Sequence, residues 1–214
     1  MQSQPEPNPP RRALPRAAYG ETLRSSKHLD VARAQFGAAM IDRADAARHR
    51  DRILAFIDEH ADAARRSCAS GHLTGSAVVV NAEGNRALLM LHAKVGRWLQ
   101  MGGHADGDTN LCAVALREAT EESGIAGLTI YGPAIDVDAH AIARSAEPAH
   151  QHLDLRFLVI APPGAQPHGN AESRELRWVS EGELDTLTPP IDQVTSWLVR
   201  RAMALAAAVH QAGR

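Results

Sequence analysis

Cysteine, aromatic side chains, long apolar runs and an excess of either charge are all scarce in this 214-residue sequence, and each shortage excludes a class of protein. Two cysteines, Cys68 and Cys112, are too few for a disulfide framework and lack the short paired spacing of a structural zinc site. A reducing, cytoplasmic setting is the expectation. The longest apolar runs, 77–80, 87–91 and 202–209, fall far short of the roughly 20 residues that a membrane span needs. The N-terminus shows no apolar signal-peptide core. With 23 basic and 25 acidic residues the formal net charge is −2, so neither a binder of nucleic-acid polymers nor a polybasic membrane anchor is expected.

What is present is enough apolar material, 44% of residues, for one domain core with an appendage. Histidine is the exception among the polar residues: there are 11, beside only 4% aromatics. They are either a drift toward exposed polar side chains or candidate ligands, and spacing has to decide.

The first 16 residues hold five of the 12 prolines and almost no apolar side chains, so burial cannot offset the entropy of ordering them. Residues 1–28 read as a flexible Pro-rich tail. Over 29–68 the pattern is helical, with Ile53, Ile57, Ala61 and Ala64 on one stripe and Arg50, Asp51, Asp58 and Glu59 largely off it. Residues 69–214 read as the main domain. Strands are expected at 72–80 and 86–92 around the turn NAEGN, then around Trp98 and Leu99, and at 128–131, 135–140, 152–160 and 175–179. A helix is expected over 111–123, closed by Gly124. Another begins at EGELDTL, and a last amphipathic helix carries Val194, Leu198, Ala202, Leu205 and Val209 on one face. The order predicts an α+β domain with a mixed sheet and an N-terminal helical region.

The helix at 111–123 carries the chemistry. Glu118, Glu121 and Glu122 stand at i, i+3 and i+4, which gathers mutually repelling carboxylates on one side. A hard divalent cation such as Mg²⁺ or Mn²⁺ relieves that repulsion through oxygen ligands and can bridge to a substrate phosphate. A solvated charged face is the competing account. Arg117 can pair with Glu121 one turn on. Leu111, Ala115 and Ala119 form the opposite, sheet-facing side, and Asp108 or Thr109 can cap the start.

The loop ahead of this helix contains Gly102, Gly103 and Gly107, and the stretch WLQMGGHADGDTNLCAVALREATEESGI resembles the Nudix box, G-x5-E-x7-R-E-U-x-E-E-x-G-U, with U a bulky aliphatic residue. Gly103 matches the first position, Arg117 and Glu118 the R-E pair, Glu121 and Glu122 the E-E pair, and Gly124 with Ile125 the end. Ala119 is a small occupant of the first U. Thr109 stands where the family has its first glutamate, with Asp106 and Asp108 as neighbouring substitutes. The likeness extends over about 73–187, including Arg177, Trp178 and Val179 ahead of the acidic EGEL helix.

The resemblance implies a Nudix-type α/β/α sandwich and hydrolysis of a diphosphate linkage in a nucleoside diphosphate derivative or related phosphorylated metabolite, with Mg²⁺ or Mn²⁺. It implies Glu118, Glu121 and Glu122 as metal ligands, Glu118 or a later carboxylate in activating water, and Arg117 in orienting the ligands. Gly102 and Gly103 let the backbone approach phosphate, and Glu172 or Glu175 is the additional loop carboxylate. His104, after the glycine pair, contacts phosphate or bonds its own loop. His150, His152 and Asp154 alternate and share a strand face where metal or phosphate could meet them, while His92 reads as structural. The implied partner is a small phosphorylated molecule; a homodimer is compatible with the N-terminal helices. Two alternatives remain. One is a nucleotide-sensing module without turnover, which Thr109 suggests. The other is an enzyme similar to isopentenyl diphosphate isomerases, which Gly103 and His104 echo, although Gly102 occupies the position of the reactive cysteine and Cys112 lies inside the helix.

Overall fold

The computed structural model describes residues 14–144 and 147–213. In chain order the elements are β1 (Arg16–Ala17), α1 (Leu29–Ala38), α2 (Ala44–Glu59), β2 (Gly71–Val80), β3 (Arg86–His92), β4 (Trp98–Leu99) and β5 (Met101–His104). There follow α3 (Leu111–Ser123), β6 (Thr129–Arg144), β7 (Glu147–Ile160), β8 (Ser173–Ser180) and α4 (Gln193–Ala212).

Strand β2 is buried along all 10 residues, and its alternation divides the core. Leu73, Ala77 and Val79 point to one face, where they join Phe36 of α1, Ile53 and Ile57 of α2, and Leu111, Val114, Ala115 and Ala119 of α3. Val78 and Val80 point to the other, against Leu198, Val199, Ala202 and Ala206 of α4. Helices therefore cover both faces of one mixed sheet, ordered β1-β6-β7-β2-β3-β4, with β5 pairing β2 and β8 pairing β3. The pair β2·β7 is parallel, in register from Gly71↔Gln151 to Val80↔Ile160. The expected α+β sandwich with a mixed sheet is the fold observed.

Several boundaries differ from the sequence reading. Residues 129–144 form one strand instead of two; its register on β7 shifts between Tyr131 and Asp136, where Pro133 breaks the local pattern. Helix α2 ends at Glu59, so Ala61 lies beyond it and is exposed. The EGELDT segment is a single 3-10 helix, Glu181–Thr186, held by a reciprocal Ser180–Glu183 capping box. On α4 the buried stripe is Thr195, Leu198, Val199, Ala202, Met203 and Ala206, while Val194 is exposed. Of the expected flexible tail, 1–13 lie outside the described residues. Residues 14–28 carry specific contacts: Arg16 and Ala17 pair with Gly132 and Tyr131 of β6, and Asn110 donates to the Thr22 and Arg24 carbonyls at 2.7 and 2.8 Å.

Candidate active site

Helix α3 forms where the sequence reading places it. Its apolar positions dock on the sheet, and Gly124 ends it with φ 66°, a left-handed turn that a side chain would strain. The N-cap is Asn110 instead of Asp108 or Thr109, with its side chain accepting from the Ala113 N–H at 3.4 Å. Both expected caps are committed to the N-terminal segment. Asp108 accepts from Ser26 N–H at 2.9 Å, and the buried Thr109 hydroxyl donates to the His28 carbonyl at 2.8 Å.

The first strand of the loop, β5, brings Gly102 and Gly103 against the acidic side of α3. Glu122, only 4% exposed, accepts the Gly102 N–H at 2.8 Å. A Cβ on Gly103 would collide with the Glu118 carboxylate, so a larger residue there would displace that side chain from its present position. Arg117 donates to Glu118 at 2.7 Å and to the His104 carbonyl at 3.1 Å, tying helix to strand. It therefore pairs with Glu118, not with Glu121 as its spacing suggested. Burial pushes the Glu122 carboxyl up to about 8; the Gly102 N–H opposes this, and the charges of Glu118, Glu172 and Glu121 add to it. Glu118 is raised as well, by burial first, against the counteracting Arg117. Glu121 is exposed at the rim.

The two later carboxylates separate. Glu172 acts electrostatically on both Glu118 and Glu122, and Asn170 beside it donates to the Glu121 carbonyl at 3.3 Å. Glu175 is instead engaged by Arg177 at 2.6 Å. The oxygen-only donor set around a buried carboxylate suits a hard divalent cation. Cys112 is buried, and burial pushes its thiol up to about 12, which removes it as a nucleophile.

A family model for the NUDIX domain matches residues 71–198. The chain belongs to the Nudix family. Members of this family hydrolyse pyrophosphate bonds in nucleotide derivatives. Among solved structures, the chain is similar to a C. elegans Ap4A hydrolase at 17% identity and TM-score 0.51, covering 64% of this chain and 98% of that one. It is also similar to a NUDIX-family hydrolase from Clostridium perfringens at 26% identity and TM-score 0.48, covering 63% and 97%. A Nudix hydrolase from M. smegmatis gives 22% identity and TM-score 0.47, covering 65% and 88%. No curated protein matches the sequence.

On the opposite face of the sheet from the Nudix helix, histidines converge. Register places His72 beside His152, Thr74 beside His104, and His140 beside His152. The Nε2 atoms of His104 and His152 are 3.2 Å apart. Burial, then neighbouring positive groups, pushes His104 down to about 4 and holds His152 lower still. His72 is 5% exposed and neither ring nitrogen has a hydrogen-bond partner, at a cost of about 1–3 kcal/mol for a buried polar group. The sequence reading named His104, His150 and His152 but missed His72 and His140. Its available signal was the alternation His72, Thr74, Ser76, which mirrors His150, His152, Asp154. His92 accepts the Lys94 N–H at 3.2 Å, as a local turn residue.

Proposed function

We propose that this Nudix protein is a divalent-metal-dependent pyrophosphohydrolase that cleaves the diphosphate linkage of a nucleoside diphosphate derivative or related small phosphorylated metabolite. The observation that carries this reading is Glu122: a carboxylate in Nudix register, buried beside other carboxylates and raised to about 8 with a single backbone N–H as partner. In its ionised form such a buried group is costly unless a cation faces it. Glu118, Glu121 and Glu122 would hold Mg²⁺ or Mn²⁺, and a cation there supplies neutralisation of phosphate oxygens and a lowered pKa for the attacking water.

The chain's own residues do the rest. The Gly102 N–H fixes one oxygen of Glu122. Arg117 holds Glu118 and, through the His104 carbonyl, the edge of β5. The bare backbone at Gly102 and Gly103 lets β5 lie close against Ser76 and the Glu118 carboxylate. Glu172, electrostatically coupled to Glu118 and Glu122, is the additional carboxylate we assign to water activation together with Glu118. The free, reduced cysteines support a cytoplasmic setting.

Nucleoside diphosphate sugars, dinucleoside polyphosphates, coenzyme A and dNTPs, each with Mg²⁺ and Mn²⁺, form the test panel. Metal-dependent release of phosphorylated products that vanishes in Glu122→Gln is the expected result. Full activity in that variant overturns the assignment. A second reading, a nucleotide-sensing module, is favoured by Thr109, which replaces the family's first glutamate and is buried under the N-terminal segment. Calorimetric binding without turnover of the whole panel would select it.

A further inference from the structure

Three imidazoles, His72, His150 and His152, each present a ring nitrogen such that all three lie within 4.8 Å of one another. His104 stands beside them, its ring centroid 4.9 Å from that of His72 and 4.8 Å from that of His152. These residues come from three strands. Parallel register brings β2 and β7 together, and β5 adds His104 across from Thr74. Four imidazoles in one place are unfavourable as cations. Arg66 and Asp106, whose charges act on His72 and His104, are spent on each other through bonds of 2.7 and 2.8 Å. Asp154, two residues along from His152, is likewise taken up by Thr74, Ser76 and Arg156. One ring nitrogen from each of His72, His150 and His152 faces a shared space. His72 is almost wholly buried there, and both of its ring nitrogens lack partners.

We propose that His72, His150 and His152 form a second metal site, for a borderline first-row cation of the Zn²⁺ class, with His104 as the neighbouring fourth imidazole. Imidazole nitrogen selects such a cation, whereas the oxygen-only glutamate cluster selects Mg²⁺ or Mn²⁺. A tetrahedral zinc with bonds of about 2.0–2.1 Å keeps its nitrogens roughly 3.3 Å apart, and the 3.2 Å between His104 and His152 is already that spacing. The His72, His150 and His152 nitrogens lie within 4.8 Å of one another, so binding requires these rings to close in by side-chain rotation. The site sits behind β5. His104 follows Gly103, which abuts Glu118, and the His104 carbonyl accepts from Arg117. A cation here braces the loop that carries the diphosphate site from the opposite side of the sheet, so its role is structural.

The experiment uses the full chain without a polyhistidine tag, dialysed against trace Zn²⁺ and analysed for bound metal by mass spectrometry. Its zinc K-edge absorption and thermal midpoint are measured as well. The expected results are one zinc per chain, outer-shell scattering from three or more imidazoles, and a lowered midpoint after chelation. His150→Gln/His152→Gln should lose the zinc, and Glu122→Gln should keep it. A wild-type chain that retains no zinc, a spectrum without imidazole, or zinc that follows Glu122 overturns the proposal. The wild-type spectrum decides even where the histidine variant does not fold. Because the readout is bound zinc, failure here leaves the diphosphate reading standing, and the reverse also holds.

Discussion

Two sets of three carboxylates lie on opposite faces of one sheet. Glu118, Glu121 and Glu122 follow the helical spacing of α3, and Asp136, Asp138 and Asp154 come together by pairing of β6 with β7. The aspartates are answered from within the protein. Arg156 bonds Asp154 at 2.9 Å, Asp136 at 3.2 Å and Asp138 at 2.7 Å. Arg43 adds a second guanidinium on Asp136 at 3.0 Å, and the Thr74 and Ser76 hydroxyls donate to Asp154 at 2.8 Å. The glutamates have one partly exposed cation, Arg117, on Glu118 alone. Equal numbers of acids thus sit in different surroundings: the aspartates have their counter-charges built in, and among the described residues the glutamates have only Arg117, on Glu118. Proximity of like charges does not by itself identify a site; what separates the two sets is whether the charges are answered.

The largest effect is expected where the unanswered charge is removed. Glu122→Gln keeps an acceptor for the Gly102 N–H and should lower diphosphate hydrolysis by about 10²–10⁴-fold. Its thermal midpoint in metal-free buffer should equal or exceed that of the wild type, because a raised, buried carboxylate is gone. Added Mg²⁺ should raise the wild-type midpoint and leave the variant's nearly unchanged. Equal stabilisation by Mg²⁺ in both would erase the contrast between the two sets.

The aspartate set should respond the other way. Arg156→Met strips three carboxylates of their shared partner and should cost about 3–5 kcal/mol in urea unfolding. Loss of under 1 kcal/mol would mean that Arg43 and the hydroxyls suffice. A smaller effect is expected from pH. Burial pushes Asp138 up, but the His140 hydrogen bond and the charges of Arg156, His140 and His49 outweigh it and hold the carboxyl well below its usual range. A depressed folded pKa contributes stability above the unfolded value of about 3.9 and loses it as pH falls through the folded one. The raised Asp136 works against this trend, from burial first. Asp138→Asn should therefore flatten the loss of stability below about pH 4 and cost about 1–3 kcal/mol near neutrality; an unchanged acid slope would remove Asp138 from the network.

Legibility in the sequence followed the range of the interactions. Helix α3, its end at Gly124 and its acidic side depend on neighbours three or four residues away, and the spacing alone places them. The histidine cluster and the Arg156 network depend on β2 lying parallel to β7, a pairing across about 80 residues that no local pattern encodes, so His72, His140 and Asp136 went unread. The split assigned to β6 arose from Gly132 and Pro133, which look like a turn locally but sit in a register shift within a continuing strand pair. The cap of α3 was misread for a similar reason: Asp108 is a good local cap, and a partner more than 80 residues earlier takes it instead.

Thr109 gives the finest test, because it stands where the acidic set would have gained a further member. Its hydroxyl donates to His28 at 2.8 Å, its own N–H donates to the Ser26 carbonyl at 2.8 Å, and it is 1% exposed. The position thus serves the attachment of the N-terminal segment, and what it supplies is anchoring of that segment. Thr109→Val keeps the shape, leaves the N–H bond in place and loses only the hydroxyl, so it should cost about 1 kcal/mol, read as a small fall in urea midpoint. The diphosphate activity should stay within about twofold of wild type, since a loss of 1.4 kcal/mol from the barrier side is needed for tenfold. Proteolysis between residues 14 and 28 should become faster in step with the lost stability, because this bond ties that stretch to the start of α3. A tenfold fall in activity at unchanged stability would instead make Thr109 a working member of the acidic site, and the boundary between the anchored region and the catalytic one would have to move.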